Sequence, residues 1–201
     1  ELPPSLRHLA CPMEVGVGPF GWDCGLEAAC SLRSLHVQCL WVTGMEDWAE
    51  EHGLSDQAEM HLGILGDMVP QLEELGIDLG SVADAGEYLD LAGAEALSTT
   101  LRSLQLTAIR PRNARFLKGL SALTRLSLHK CQQLPGLPEA MSQLSALRGL
   151  SVENCIGVAS LTALQPLGHL SSLYFKACNL EALTAQELQR LTGLKVRWGG
   201  C

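Results

Sequence analysis

Catalytic and metal-binding signatures are the first things missing from this 201-residue chain. None of its eight cysteines forms a C-x-x-C pair, which argues against a zinc site or a thioredoxin-like motif. There is no G-x-x-x-x-G-K-[ST] loop, no G-x-S-x-G elbow and no H-E-x-x-H helix. Gly16-Val17-Gly18 begins like a G-x-G-x-x-G fingerprint, but Pro19-Phe20 follow it without a strand-turn-helix context. The six histidines are dispersed, with no pair at a helical ligand spacing. Aromatic residues are only 4% of the chain against 47% apolar, so aliphatic side chains must fill any core. These absences point away from an enzyme, and neither a metal nor a cofactor is expected.

A membrane span and a secretory pathway are not supported either. Cys155 to Phe175 carries no charge over 21 residues, yet it holds Gln165, Pro166, His169 and several hydroxyls. Glu1-Leu2-Pro3-Pro4 carries no signal-peptide pattern, and the lack of an initiator Met leads to the expectation that the chain begins inside a longer protein. Asn113, Asn154 and Asn179 are each followed by residues that exclude an N-x-S/T sequon. At least three cysteines belong to a repeat, and Cys11, Cys24, Cys30, Cys39 and Cys201 lack the spacing of disulfide-bonded caps. A reduced, intracellular protein, cytoplasmic or nuclear, is therefore expected.

What is present is repetition. Cys131, Cys155 and Cys178 lie 24 and 23 residues apart, and each closes a stretch with apolar residues at fixed offsets. These stretches are Leu123-x-x-Leu126-x-Leu128, Leu147-x-x-Leu150-x-Val152 and Leu170-x-x-Leu173-x-Phe175. The frame extends to Leu191, Leu194 and Val196 on one side. On the other it reaches Leu101, Leu104, Leu106; Leu72, Leu75, Ile77; Leu32, Leu35, Val37; and Leu6, Leu9, Cys11. About eight repeats, starting near 6, 32, 72, 101, 123, 147, 170 and 191, make one domain.

This pattern resembles the leucine-rich-repeat family, with its L-x-x-L-x-L-x-x-N/C-x-L consensus. Cys131-Gln132-Gln133-Leu134-Pro135-Gly136-Leu137-Pro138 followed by Leu144, Leu147 and Leu150 looks like plant-type repeats of intracellular immune receptors. The long N-terminal units look like those of F-box substrate receptors. The resemblance implies an α/β solenoid, a curved horseshoe with a parallel sheet on its concave side and helices, 3₁₀ turns and extended segments on the convex side.

The physical reason agrees. Period-2 apolar residues make one strand face that a single repeat cannot bury, so the units stack. At the turn after each strand a small side chain with a polar atom suits the incoming backbone groups, giving a structural column of reduced cysteines. Helices are expected over 55–69, 83–97 and 113–120, with extended or 3₁₀ connections after Cys131 because of Pro135 and Pro138. An acidic insertion near 41–56 carries Trp41, Met45 and Trp48.

Charge is divided along the chain. Residues 1–100 hold 18 Asp/Glu and 2 Lys/Arg; residues 101–201 hold 4 and 12, for a net charge of −8 overall. Outward positions of the later strands form the candidate recognition face: Arg125, His129, Lys130, Glu153, Tyr174, Lys176, Lys195, Arg197 and Trp198. The reading is a non-catalytic module that binds an acidic or mixed-charge protein, with the insertion as the competing site. The alternative is RNA binding through the basic C-terminal half, disfavoured by the acidic whole and by having two aromatics in those columns.

Overall fold

Alternation of buried apolar residues with exposed or half-buried ones builds β-strands such as Arg125–His129, in which only Leu126 and Leu128 are buried. The computed structural model describes residues 3–18, 21–22, 31–42, 59–78, 90–109, 114–131, 137–155, 167, 169–178 and 195–199. Its strands are β1 (His8–Gly18), β2 (Gly21–Trp22), β3 (Ser34–Val42), β4 (Glu59–His61), β5 (Glu74–Asp78), β6 (Asp90–Ala92), β7 (Ser103–Thr107), β8 (Arg125–His129), β9 (Gly149–Glu153), β10 (Ser172–Lys176) and β11 (Lys195–Gly199). A nine-stranded sheet runs β11-β10-β9-β8-β7-β5-β3-β1-β2, and every pairing is parallel except that of β1 with β2.

The register fixes the core rows. Leu35, Leu75, Leu104, Leu126, Leu150 and Leu173 stand side by side, as do Val37, Ile77, Leu106, Leu128, Val152 and Phe175, and all are buried. Leu9 pairs with Leu35 and Cys11 with Val37, so the rows continue into β1. Leu32, Leu72, Leu101, Leu123 and Leu147, three residues ahead of the first row, are buried behind it. The fold is an open, one-directional stack whose repeats bury each other's apolar face.

Opposite the sheet runs a second layer: α1 (Gly63–Met68), the 3₁₀ turns Ala94–Leu97 and Arg115–Gly119, and α2 (Leu137–Met141). Each packs on the next, α1 on Ala94–Leu97, that turn on Arg115–Gly119, and the latter on α2. Close approach has a sequence cause: an added Cβ at Gly66 would lie 2.6 Å from the Ala96 Cβ.

Several convex elements differ from expectation. The helix expected from Ser55 is reduced to α1, because Glu59–His61 pairs with Asp90–Ala92 as a separate two-stranded sheet; residues 51–58 lie outside the described residues. The helix expected over 83–97 is that same β6 and then a 3₁₀ turn, the two separated by Gly93 at φ 74°; residues 81–89 lie outside the description. The 113–120 segment winds as 3₁₀ over Arg115–Gly119. After Cys131, α2 is α-helical despite Pro138, which sits in the first turn where a missing N–H breaks no helical bond. Trp41 and Val42 end β3, paired with Gly16 and Val17; the rest of the expected insertion, residues 43–58, lies outside the described residues.

After β7, β8, β9 and β10 the chain turns sharply. Ala108, Lys130, Asn154 and Ala177 occupy the left-handed region at φ 56°, 53°, 52° and 48°. The N–H groups of Ala108, Lys130 and Asn154 each donate to the last carbonyl of the next strand, at 2.8 Å, so the ladder extends one residue past the strand.

Candidate functional site

Residues that alternate with the core rows form three rows on the open face. The first holds Glu74, Ser103, Arg125, Gly149, Ser172 and Lys195. The second holds His36, Gly76, Gln105, Ser127, Ser151, Tyr174 and Arg197, and the third Asp78, Thr107, His129, Glu153, Lys176 and Gly199. Backbone hydrogen bonds between all these strands hold the rows rigid, which orders the surface before any partner arrives.

The charges on this face are largely paired within the molecule. Arg125 Nη2 lies 2.7 Å from Glu74 Oε1, crossing over β7. Lys176 Nζ lies 2.7 Å from Glu153 Oε1 on the adjacent strand. The hydrogen bond from Lys176, with further attraction from Lys176, His129 and Lys130, holds the Glu153 carboxyl below its ordinary value. Conversely Glu153 raises the Lys176 ammonium above its own. At the rim Arg33 is paired with Glu73.

The sequence-derived recognition residues fall into different settings. Arg125, Glu153 and Lys176 are on the face but in ion pairs. His129 and Tyr174 are half-buried in the third and second rows, and Lys130 is exposed on the turn at positive φ, one residue beyond β8. Lys195 stands beside Ser172 and Arg197 beside Tyr174. Trp198 pairs in register with Phe175, and Val196 with Leu173, so its register position is in the row that holds Leu128, Val152 and Phe175. The expected frame had placed Val196 two residues later in that pairing.

Two relationships on the face were not anticipated. Glu74 and Arg125 each precede the first inward leucine of their strand, and that shared offset was the available signal. The His36 ring covers Gly76 so closely that a Cβ there would clash with His36 Nδ1.

The cysteine column is structural. Cys131 Sγ is 3.4 Å from the Leu106 carbonyl oxygen and 3.5 Å from that of His129; Cys155 Sγ is 3.4 Å from Leu128 O and 3.3 Å from Glu153 O; Cys178 repeats the pattern with Val152 and Lys176. All three thiols are free. The hydrogen bond shared with the Cys155 side chain, then burial, pushes the Cys131 thiol well above the ordinary thiol value, and burial raises Cys178. A neutral, buried thiol such as that of Cys131 is a poor nucleophile, whereas the hydrogen bond with Cys131 holds the Cys155 thiol below its ordinary value. Among the described residues no group of three or more His, Cys, Asp or Glu is arranged to hold a metal, and no helix is long and apolar enough to cross a membrane.

No protein-family profile matches this chain, and no curated protein matches its sequence. Solved structures do match. The crystal structure of a second internalin of Listeria monocytogenes, at 16% identity, covers 98% of this chain and 67% of that one with a TM-score of 0.42. The crystal structure of internalin C2 from Listeria monocytogenes, at 19% identity, covers 87% of this chain and 74% of that one with a TM-score of 0.50. Internalins are leucine-rich-repeat proteins, and together with the parallel stack the likeness to internalin C2 shows that this chain has the leucine-rich-repeat solenoid fold.

Proposed function

We propose that this chain is a non-catalytic recognition module that holds another protein against the open face of its parallel sheet, in the C-terminal half. The observation that carries the proposal is Tyr174, a half-buried aromatic in the middle row, flanked in register by Ser151 and Arg197 and bordered by the Glu153–Lys176 pair. A large side chain with few rotatable bonds, beside the small Ser151 on a hydrogen-bonded sheet, is suited to anchor in a partner's pocket. The paired charges around it favour a partner of mixed charge that exchanges ion pairs, because a uniformly acidic one meets Glu153 and Glu74.

The finer setting follows from the repeat types. Plant-type and F-box-like repeats support a role as the recognition part of an immune-type receptor, a ubiquitin-ligase receptor or an assembly scaffold. The three free thiols suit a reducing, intracellular location. The test is to capture the partner from the native lysate and measure its kinetics. Tyr174→Ala should speed dissociation, and Lys176→Glu with Arg197→Glu should slow association at low salt. If the captured partner binds both variants like wild type and loses binding only when Trp41 or Trp48 is changed, the insertion is the site. If the captured molecule is RNA, the protein-binding reading fails.

A further inference from the structure

One row of the molecule lies outside the surface just described. The residue immediately before each of β3, β5, β7, β8, β9 and β10 donates its N–H to the carbonyl of the equivalent residue one repeat earlier: Arg33 to Arg7 at 2.8 Å, Glu73 to Arg33 at 2.7 Å, Arg102 to Glu73 at 2.8 Å, Thr124 to Arg102 at 2.8 Å, Arg148 to Thr124 at 2.9 Å and Ser171 to Arg148 at 2.8 Å. These bonds lock the residues into one line along the rim of the sheet. Four of the seven are arginine. Arg7 and Arg33 are the only Lys or Arg among residues 1–100, so even the acidic half of the chain places its cations on this line.

Arg33 is engaged by Glu73. Arg7, Arg102 and Arg148 are exposed, and among the described residues their side chains make no hydrogen bond or ion pair. We infer that this arginine rim binds an extended, acidic protein segment that runs along the stack, across the strand starts. A guanidinium offers two parallel N–H groups to one carboxylate, a geometry that lysine lacks and that suits Asp and Glu side chains. Adjacent strands are about 4.8 Å apart, so Arg102 and Arg148, two strands apart, are separated by roughly 10 Å along the row. An extended peptide rises about 3.3 Å per residue, so acids three residues apart meet that spacing. A further acid four or five residues on reaches Arg7, three strands beyond Arg102.

A nucleic acid fits this row less well. Ser103, Gly149 and Ser172, beside the row, give bases no aromatic platform. The net charge of −8 repels a long polyanion, whereas a short acidic segment feels mainly the local guanidinium groups.

The experiment uses the whole chain and a fluorescein-labelled extended peptide of about a dozen residues with Glu at every third position, read by fluorescence anisotropy at low salt. Replacing both Arg102 and Arg148 by Ala should weaken binding by up to about fivefold per arginine, and added salt should weaken it further. Lys118→Ala, a change at an exposed cation on the convex 3₁₀ turn, should leave binding unchanged, and so should Tyr174→Ala. The second control keeps failure of this rim distinct from failure of the Tyr174 surface. The inference is overturned if the peptide does not bind, if Lys118→Ala weakens it as much as the double arginine change, or if labelled oligouridine binds more tightly than the peptide.

Discussion

Arg125 on β8 reaches over β7 to Glu74 on β5, bringing Nη2 within 2.7 Å of Oε1. Ser103, the register partner of both, lies beneath the bridge, and its small side chain lets the guanidinium pass. An exposed pair of this kind is worth at most about 1 kcal/mol and is screened by salt. On the proposed reading its larger effect is on recognition, since a partner's carboxylate would have to displace Glu74 to reach Arg125. Glu74→Gln should therefore change urea-unfolding stability by less than about 0.5 kcal/mol while speeding association of an acidic partner at low salt. An unchanged association rate would show that Arg125 is not in the contact.

Cys155 places its sulfur under the ends of two strands, near the Leu128 and Glu153 carbonyl oxygens. Asn is of similar size and its amide can donate to both carbonyls, so Cys155→Asn should fold with little loss. Cys155→Leu adds volume to a fully buried site and removes the donor, and should cost about 1–3 kcal/mol in denaturant unfolding. Native Cys131 should resist alkylation until the chain unfolds, because its thiol is buried and held neutral. Rapid native labelling of Cys131 would contradict the structural role.

The left-handed turns after β7, β8, β9 and β10 are occupied by Ala108, Lys130, Asn154 and Ala177, of which only Asn tolerates that conformation well. Ala177→Gly should remove side-chain strain at φ 48°, and Asn154→Ala should introduce it at φ 52°. The expected changes are about 0.5–1 kcal/mol, stabilising for the first and destabilising for the second. Thermal melts of the two variants should shift in opposite directions. Shifts of the same sign would mean that the turn strain is relieved elsewhere.

How much of this was readable from sequence depends on which residues are followed. Leu75, Leu104, Leu126 and Leu150 repeat at fixed offsets with period-2 partners, and a parallel stack is the only way to bury such rows. At β11 the same logic misleads, because Leu194-x-Val196 and Val196-x-Trp198 both offer an apolar pair two residues apart. Only pairing with Leu173 and Phe175 chooses between them. On the convex side, Met60 and Leu91 carry helix-compatible patterns, yet β4 and β6 pair across the stack, a tertiary choice that local propensity does not record. Outward charges were readable as rows, but the Arg125–Glu74 bridge joins residues 51 apart in sequence, and only the register brings them within reach.

The Glu153–Lys176 pair sets a pH window. The folded carboxyl titrates below its ordinary value, so its contribution is present above the unfolded carboxylate range and is lost as pH falls through the folded value. The folded ammonium titrates above its ordinary value, so its contribution is present below the unfolded lysine range and is lost as pH rises through the folded value. Between these limits both charges stabilise the third row, where Lys130 adds positive charge near Glu153. Glu153→Gln removes the counter-charge and should lower the melting temperature near neutral pH, with the difference from wild type shrinking to nothing as the solution is acidified. Lys176→Met should weaken the same acid dependence, because Glu153 then loses the largest influence that depresses its titration. Melting curves of wild type and both variants across the acid range are the check. A difference between wild type and Glu153→Gln that stays constant into strong acid would mean that the substitution acts through packing and not through the ion pair.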